Sequence, residues 1–293
     1  MNGVNGLPKD KAQKTLDVVV LYSSGHLGSA LIMNKLLNMP EINIVGVVKA
    51  QPLKLSLRGR AKIKQHLKKV GWRFAGLLFW QRCIQALGYL LTLIFPFLSK
   101  RIKPAWKIAK DKNIPVFHCG NINDLECQQF IKDLNPDLLI SAYFSQILKK
   151  EIITLPKLGV LNVHPGWLPE YKGAMAYFWV LNNGSDRGGV TVHWIDEGID
   201  TGTVLARRSF ALKDHATQET VLMYTAVIGA KLIGRVVRRL LAGDNPQLHT
   251  IHPEEADDYY PMPGNKDFKR YFKQRRFFRI RDVLGLLVMK RHR

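Results

Sequence analysis

The sequence predicts an α/β protein. Its centre is a Rossmann-like, mostly parallel twisted sheet, with a helical basic-apolar insert and a short basic C-terminal extension. Three observations carry this. Short β-branched runs such as Asp17–Tyr22 and Asp137–Ser141 are apolar throughout, as strands covered on both faces are. They alternate with stretches of helical periodicity. Polar and glycine-bearing turns follow the strand ends, where open α/β sheets place their ligands.

Asp17–Tyr22 reads as the first strand, Ser23–Ser29 as a tight turn, Ala30–Leu37 as a helix and Asn43–Val48 as the second strand, a βαβ opening. After a long interruption, Ile114–His118 reads as a strand, Leu125–Leu134 as a helix and Asp137–Ser141 as a buried strand. Ile147–Leu155 reads as helical. Leu158–Val163 is a strand ending at Asn162-Val163-His164-Pro165. Val190–Ile195 and Thr203–Ser209 complete the sheet as neighbours, and Gln218–Leu241 is a long amphipathic helix. The expected organisation is a catalytic domain over 16–210, interrupted at 50–112, and a helical, basic extension over 211–293.

The chain has 293 residues, with 44 Lys and Arg against 23 Asp and Glu, a net charge of +21. Residues 51–112 hold 15 basic side chains and one acidic; residues 266–293 hold 11 basic and two acidic. The rest is close to neutral. Such segments attract polyanions, either nucleic acid or an anionic membrane surface. Within the insert, Lys54–Val70 is basic and amphipathic, and Phe74–Leu98 is apolar except for the narrow stripe Gln81, Gln85, Gly88 and Thr92. Its uninterrupted part, Ile84–Leu98, is shorter than the ~20 residues of a spanning helix. Three readings stand: a monotopic membrane anchor, a helical subdomain packed on the body or on a second copy in a homodimer, and a nucleic-acid arm, the least favoured. Lys266–Arg293 interleaves basic residues with Phe268, Tyr271, Phe272, Phe277 and Phe278, which suits a membrane interface, single-stranded nucleic acid or a docked terminal helix.

Cys83, Cys119 and Cys127 form no paired motif and read as small buried hydrophobes in a reducing cytosol. No secretory signal is read in residues 1–15. The expected location is cytoplasmic, with peripheral attachment to the inner face of the membrane as an extension of the anchor reading.

The chemistry concentrates in Leu161–Gly202. Asn162 and His164, two apart on one strand, project together. The loop Asp196-Glu197-Gly198-Ile199-Asp200-Thr201-Gly202 lies between two strands and brings a carboxylate toward them. An amide, an imidazole and a carboxylate suit acyl transfer to an amine: the first two donate to a tetrahedral oxyanion, and the third orients or charges the imidazole or relays the amine proton. No metal is called for.

The stretches NVHPGWLPEYKG (162–173) and GVTVHWIDEGIDTG (189–202) closely resemble the folate-dependent formyltransferase family, over about Asp17–Ser209 without the insert. The resemblance implies the formyltransferase fold and 10-formyltetrahydrofolate as co-substrate. It places Asn162, His164 and Asp200 at the catalytic positions. It likens Ala142, Tyr143, Phe144, Gln146, Ile147 and Leu148 to the segment that holds the pterin, and Asp196 and Gly198 to the opposite wall. Trp167, Tyr171, Lys172 and Gly173 are expected on the acceptor side. Gly166 and Trp167 depart from the HPSLLP-like pattern of many relatives. His26 is read as a helix cap in preference to an acceptor contact.

The expected activity is N-formyl transfer to a primary amine, an amino sugar or a membrane-associated amine. Alternatives are a 10-formyltetrahydrofolate hydrolase, a methionyl-tRNA formyltransferase-like enzyme and, last, a non-enzymatic membrane-surface binding protein.

Overall fold

The computed structural model describes residues 14–50, 105–244 and 259–274, together with single positions between 64 and 95. Elements in chain order are β1 (Leu16–Ser23), α1 (Leu27–Leu36), β2 (Ile42–Ala50), α2 (Ala105–Asp111), β3 (Val116–Cys119), α3 (Leu125–Leu134), β4 (Leu138–Ala142), α4 (Lys150–Ile153), β5 (Gly159–His164), β6 (Lys172–Gly173), α5 (Ala176–Asn182), β7 (Arg187–Trp194), β8 (Val204–Ala211), α6 (Gln218–Leu241), β9 (Tyr259–Tyr260) and α7 (Asn265–Gln274).

Seven strands form the central sheet in the order β3-β2-β1-β4-β5-β7-β8. The first five run parallel; β7 and β8 are antiparallel to their neighbours. The fold is thus the mostly parallel, doubly wound sheet that the sequence predicts. Its central strands are buried on both faces: Val18, Val20 and Tyr22 face the α1–α6 side, while Val19, Leu21 and Leu139 meet Ile131 of α3 on the other. Polar ties fix the register. Asp137 accepts from the Asp17 amide (2.8 Å) and pairs with Lys157 (2.8 Å), and the Ser29 hydroxyl donates to the Ala142 carbonyl (2.6 Å).

α6 begins at Thr217, whose hydroxyl accepts from the Thr220 amide, an N-cap that satisfies one of the first turn's free donors. This helix is long and apolar enough to cross a membrane (mean hydropathy 1.5), yet 67% of that stretch is buried inside the protein. Its apolar face is core, packed on α1, β5 and β7. α7 docks on α5, burying Phe268 and Tyr271 completely against Phe178, with ring centroids 5.0 Å apart in both pairs.

Several expectations are corrected. The helix expected over Ile147–Leu155 is the single turn α4, because residues 145–149 are tied to the β3–α3 loop: Asn123 Oδ1 accepts from the Lys149 amide at 2.9 Å, and Asn123 Nδ2 donates to the Ile147 carbonyl at 3.0 Å. Cys119 and Cys127 are buried, but Cys83 is exposed. His26 stands at the N-cap of α1 but makes no capping hydrogen bond; its ring stacks on Tyr143 with centroids 4.9 Å apart. The amphipathic stretch Lys54–Val70 apart from Lys64 and Lys68, the polar stripe of the insert, and residues 275–293 with Phe277 and Phe278 lie outside the described residues.

Candidate active site

β5 and β7 build the floor of the site. Their antiparallel register sets Asn162 opposite His193 and His164 opposite Thr191. The β7–β8 loop carries Asp200, at φ 55°, a left-handed conformation that Asp tolerates better than most residues. At Gly202 a Cβ would strike the Trp194 carbonyl oxygen, so only glycine lets the loop fold this closely onto β7.

The three sequence-predicted residues converge. The Asp200 carboxylate lies 3.3 Å from His164 Nδ1 and 3.5 Å from His193 Nε2. Asn162 Nδ2 is 3.5 Å from Asp200 Oδ1 and 3.1 Å from His193 Nε2. The Gly173 amide donates to Asp200 Oδ2 at 2.9 Å, and His164 Nε2 donates to the Tyr171 carbonyl at 2.6 Å.

His193 is a fourth member that the sequence reading missed. Its Nδ1 faces the Trp194 carbonyl at 2.7 Å. A carbonyl only accepts, so Nδ1 carries the hydrogen and Nε2 is left to accept from Asn162. That fixes the amide with its NH2 toward the imidazole and its second N–H toward Asp200 Oδ1, 3.5 Å away.

Charge follows geometry. Burial alone would pull His164 down, since it is 2% exposed, but the Asp200 charge and hydrogen bond and the Tyr171 carbonyl outweigh it and hold the imidazole above its ordinary value. Burial would push Asp200 up. The His164 charge and its hydrogen bond instead hold the carboxyl well below the usual range. The pair therefore favours imidazolium beside carboxylate, with Asp200 a weak base and a strong orienting charge.

The residues expected around the pterin divide. Tyr143 (φ 55°) turns its ring toward α1 and α6, where its hydroxyl meets Thr225 Oγ1 at 2.6 Å. Gln146 spans to the β3–α3 loop, accepting from the Ile122 amide (2.6 Å) and donating to the Gly120 carbonyl (3.0 Å). Ala142 and Leu148 are buried, Phe144 packs partly buried on the second core, and Ile147 is exposed. Asp196 folds its own loop, accepting from Gly198 N (3.1 Å) and Thr201 Oγ1 (2.7 Å).

On the expected acceptor side, Tyr171 and Gly173 reach the centre through their backbones. Lys172 is buried within β6. The Trp167 ring stacks under the Arg207 guanidinium at 4.3 Å. It lines a cavity of about 280 Å³ with Pro165, Gly166, Tyr171 and Arg187; Asn162, His164 and Asp200 are not among its walls.

Comparison with known proteins agrees with this architecture. Residues 98–237 match the formyl transferase family. A methionyl-tRNA formyltransferase of Clostridioides difficile (strain 630) is 35% identical over 173 residues, 58% of this chain and 55% of that protein. The chain thus spans about half the length of the curated relatives it matches. Among solved structures, an N-formyltransferase from Helicobacter canadensis in complex with folinic acid and dTDP-3-aminofucose superposes with a TM-score of 0.52 at 18% identity, over 84% of this chain and 71% of that one. A phosphoribosylglycinamide formyltransferase from Anaplasma phagocytophilum gives a TM-score of 0.54 at 18% identity, over 85% of this chain and 100% of that one. Residues 98–237, which run from α2 through most of α6 and include all four site residues, therefore form a domain of the formyl transferase family.

Proposed function

We propose that the protein is an N-formyltransferase that takes the formyl group of 10-formyltetrahydrofolate and delivers it to a primary amine, an amino sugar or a membrane-associated amine. The carrying observation is the Asp200 carboxylate held between His164 and His193 with the Asn162 amide beside it. The H. canadensis enzyme, with its folate and amino-sugar complex, supports the donor and the acceptor class.

The amine nitrogen attacks the formyl carbon, and the carbonyl π pair moves onto oxygen. Asn162 turns the N–H that faces Asp200 onto that oxyanion, and the His164 cation lowers its energy from close by. The tetrahedral centre then expels N10 of the folate, which needs a proton as the new ammonium loses one. Water carries this exchange, because Asp200 is too weakly basic to keep a proton. The products are the formamide and tetrahydrofolate.

The reading is tested by following tetrahydrofolate release from the full chain with nucleotide-linked amino sugars, with aminoacyl-tRNA and with no acceptor. Turnover with an amino sugar and none without acceptor is expected. Equal turnover without acceptor would replace transfer by hydrolysis. Turnover with aminoacyl-tRNA alone would establish the second reading, which the methionyl-tRNA formyltransferase relatives and the net charge of +21 favour.

The location proposed is the inner face of an anionic cytoplasmic membrane. Phe79, Trp80, Leu87, Leu90 and Ile94 recur at helical spacing and are each half or more exposed, within the segment that holds 15 of the 44 basic residues. Co-sedimentation with phosphatidylglycerol vesicles at low salt, weakening as salt rises, is expected. A dimer in solution with no vesicle binding would assign the apolar face to a second copy.

A further inference from the structure

Residues 259–261 lie against the loop that serves the Asp200–His164 pair. β9 runs parallel to β6, with Tyr259 opposite Lys172 and Tyr260 opposite Gly173. The Ala174 amide donates to the Tyr260 carbonyl at 2.8 Å. The Tyr260 ring stacks on Tyr171 (centroids 5.3 Å) and tilts against Trp179 (5.1 Å), and its hydroxyl accepts from Asn183 Nδ2 at 3.0 Å. Trp179 Nε1 donates to the Pro261 carbonyl at 3.0 Å. The approach is close: Gly173 has φ 99°, and a Cβ on it would strike the Tyr260 carbonyl oxygen. The loop's other side delivers the Tyr171 carbonyl to His164 Nε2 and the Gly173 amide to Asp200 Oδ2. Three consecutive residues thus touch the candidate catalytic pair on one side and a segment 86 or more positions later on the other.

We propose that Tyr260 is a positioning residue of the reaction: it touches no reactant, but clamps residues 171–173 so that they hold His164 and Asp200 in register. A two-residue ladder is too short to be stable by itself, so the loop depends on the aromatic stack and on the two side-chain hydrogen bonds that flank it. A displacement of about 1 Å at such a centre costs on the order of a hundredfold in rate. Loosening the clamp also removes the Tyr171 carbonyl from His164, one of the contacts that keeps the imidazole protonated.

The kinetic part rests on the transfer reading; the titration part does not. Full-length Tyr260→Ala and Tyr260→Phe are compared with the parent protein by steady-state formyl transfer and by the ¹⁵N NMR titration of the His164 ring. For Tyr260→Ala, kcat is expected to fall about tenfold or more with KM for the formyl donor unchanged, and the His164 midpoint to move down by about half a pH unit or more. Tyr260→Phe keeps the ring stack and loses only the bond from Asn183, so both quantities are expected to move in the same direction as in Tyr260→Ala but by a clearly smaller amount. A folded Tyr260→Ala protein with unchanged kcat and unchanged midpoint would overturn the proposal. If that variant does not fold, Trp179→Phe, which deletes the bond to Pro261 and shrinks the ring tilted against Tyr260, must shift the midpoint in the same direction by a smaller amount, and no shift there overturns it equally. Should the chain transfer no formyl group to any amine, the transfer reading fails, and the titration still decides the role of Tyr260.

Discussion

Replacing Asp200 with Asn removes one charge and little volume. In the parent protein the carboxylate stands 3.3 Å from His164 Nδ1 and is 12% exposed. At an effective dielectric of about 20, that spacing gives a gross attraction on the order of 5 kcal/mol, before the desolvation of both groups is set against it. With the attraction gone, burial dominates at His164 and the ring titrates below its ordinary value instead of above it. Near neutral pH the site then holds an uncharged imidazole, and the oxyanion loses its cation. Turnover is expected to fall about a hundred- to ten-thousandfold, while the formyl donor still binds. The Asn amide oxygen retains an acceptor for the Gly173 amide, so the fold is kept. The assay is single-turnover formyl transfer beside an NMR titration of His164 in both proteins. A variant within about threefold of the parent rate, with the His164 midpoint unmoved, would refute the role given to this pair.

His193→Phe leaves Asn162 without its imidazole acceptor, and a fall in kcat of about ten- to a hundredfold at unchanged donor KM is expected in steady-state assays. Tyr143→Phe deletes the hydroxyl bonded to Thr225 and is expected to cost about 1 kcal/mol in urea unfolding with donor KM unchanged; a large rise in that KM would return Tyr143 to the folate site. The pair also makes stability depend on pH in two directions. His164 has a raised folded value, so its contribution is complete below its unfolded value and is lost as pH rises through the folded one. Asp200 has a depressed folded value, so its contribution is complete above its unfolded value and is lost as pH falls through the folded one. Urea midpoints should therefore fall at both ends of the range; Asp200→Asn should remove the alkaline limb, and its stability should fall only toward acid, as pH drops through the unfolded His164 value and the buried neutral imidazole is forced to charge.

The sheet was legible because β1, β2 and β4 are covered on both faces and so read as unbroken β-branched runs. Asn162, His164 and Asp200 were legible because they end a strand and occupy a glycine-bearing loop between two others. His193 was not: in an alternating strand, one polar residue among apolar ones carries no mark of its partner, and its role comes from lying across the ladder from Asn162. β9 is two residues long, and its pairing with β6 joins positions far apart, which no local pattern encodes. The Ile147–Leu155 helix was overextended because its apolar spacing is genuine but its first turn is held open by Asn123. Tyr143 sits in an αL turn, which redirects its ring away from the side that strand alternation would give it.

The pairing of residues 172–173 with 259–260 has a consequence for biosynthesis. A growing chain can assemble the seven-stranded sheet once residue 211 has emerged, and can cover it with α6 some thirty residues later. Throughout that interval both histidines and the carboxylate are already present, but the loop that steadies them lacks its later neighbour. Competence for chemistry would then arrive after the fold, with one of the last described stretches to leave the ribosome.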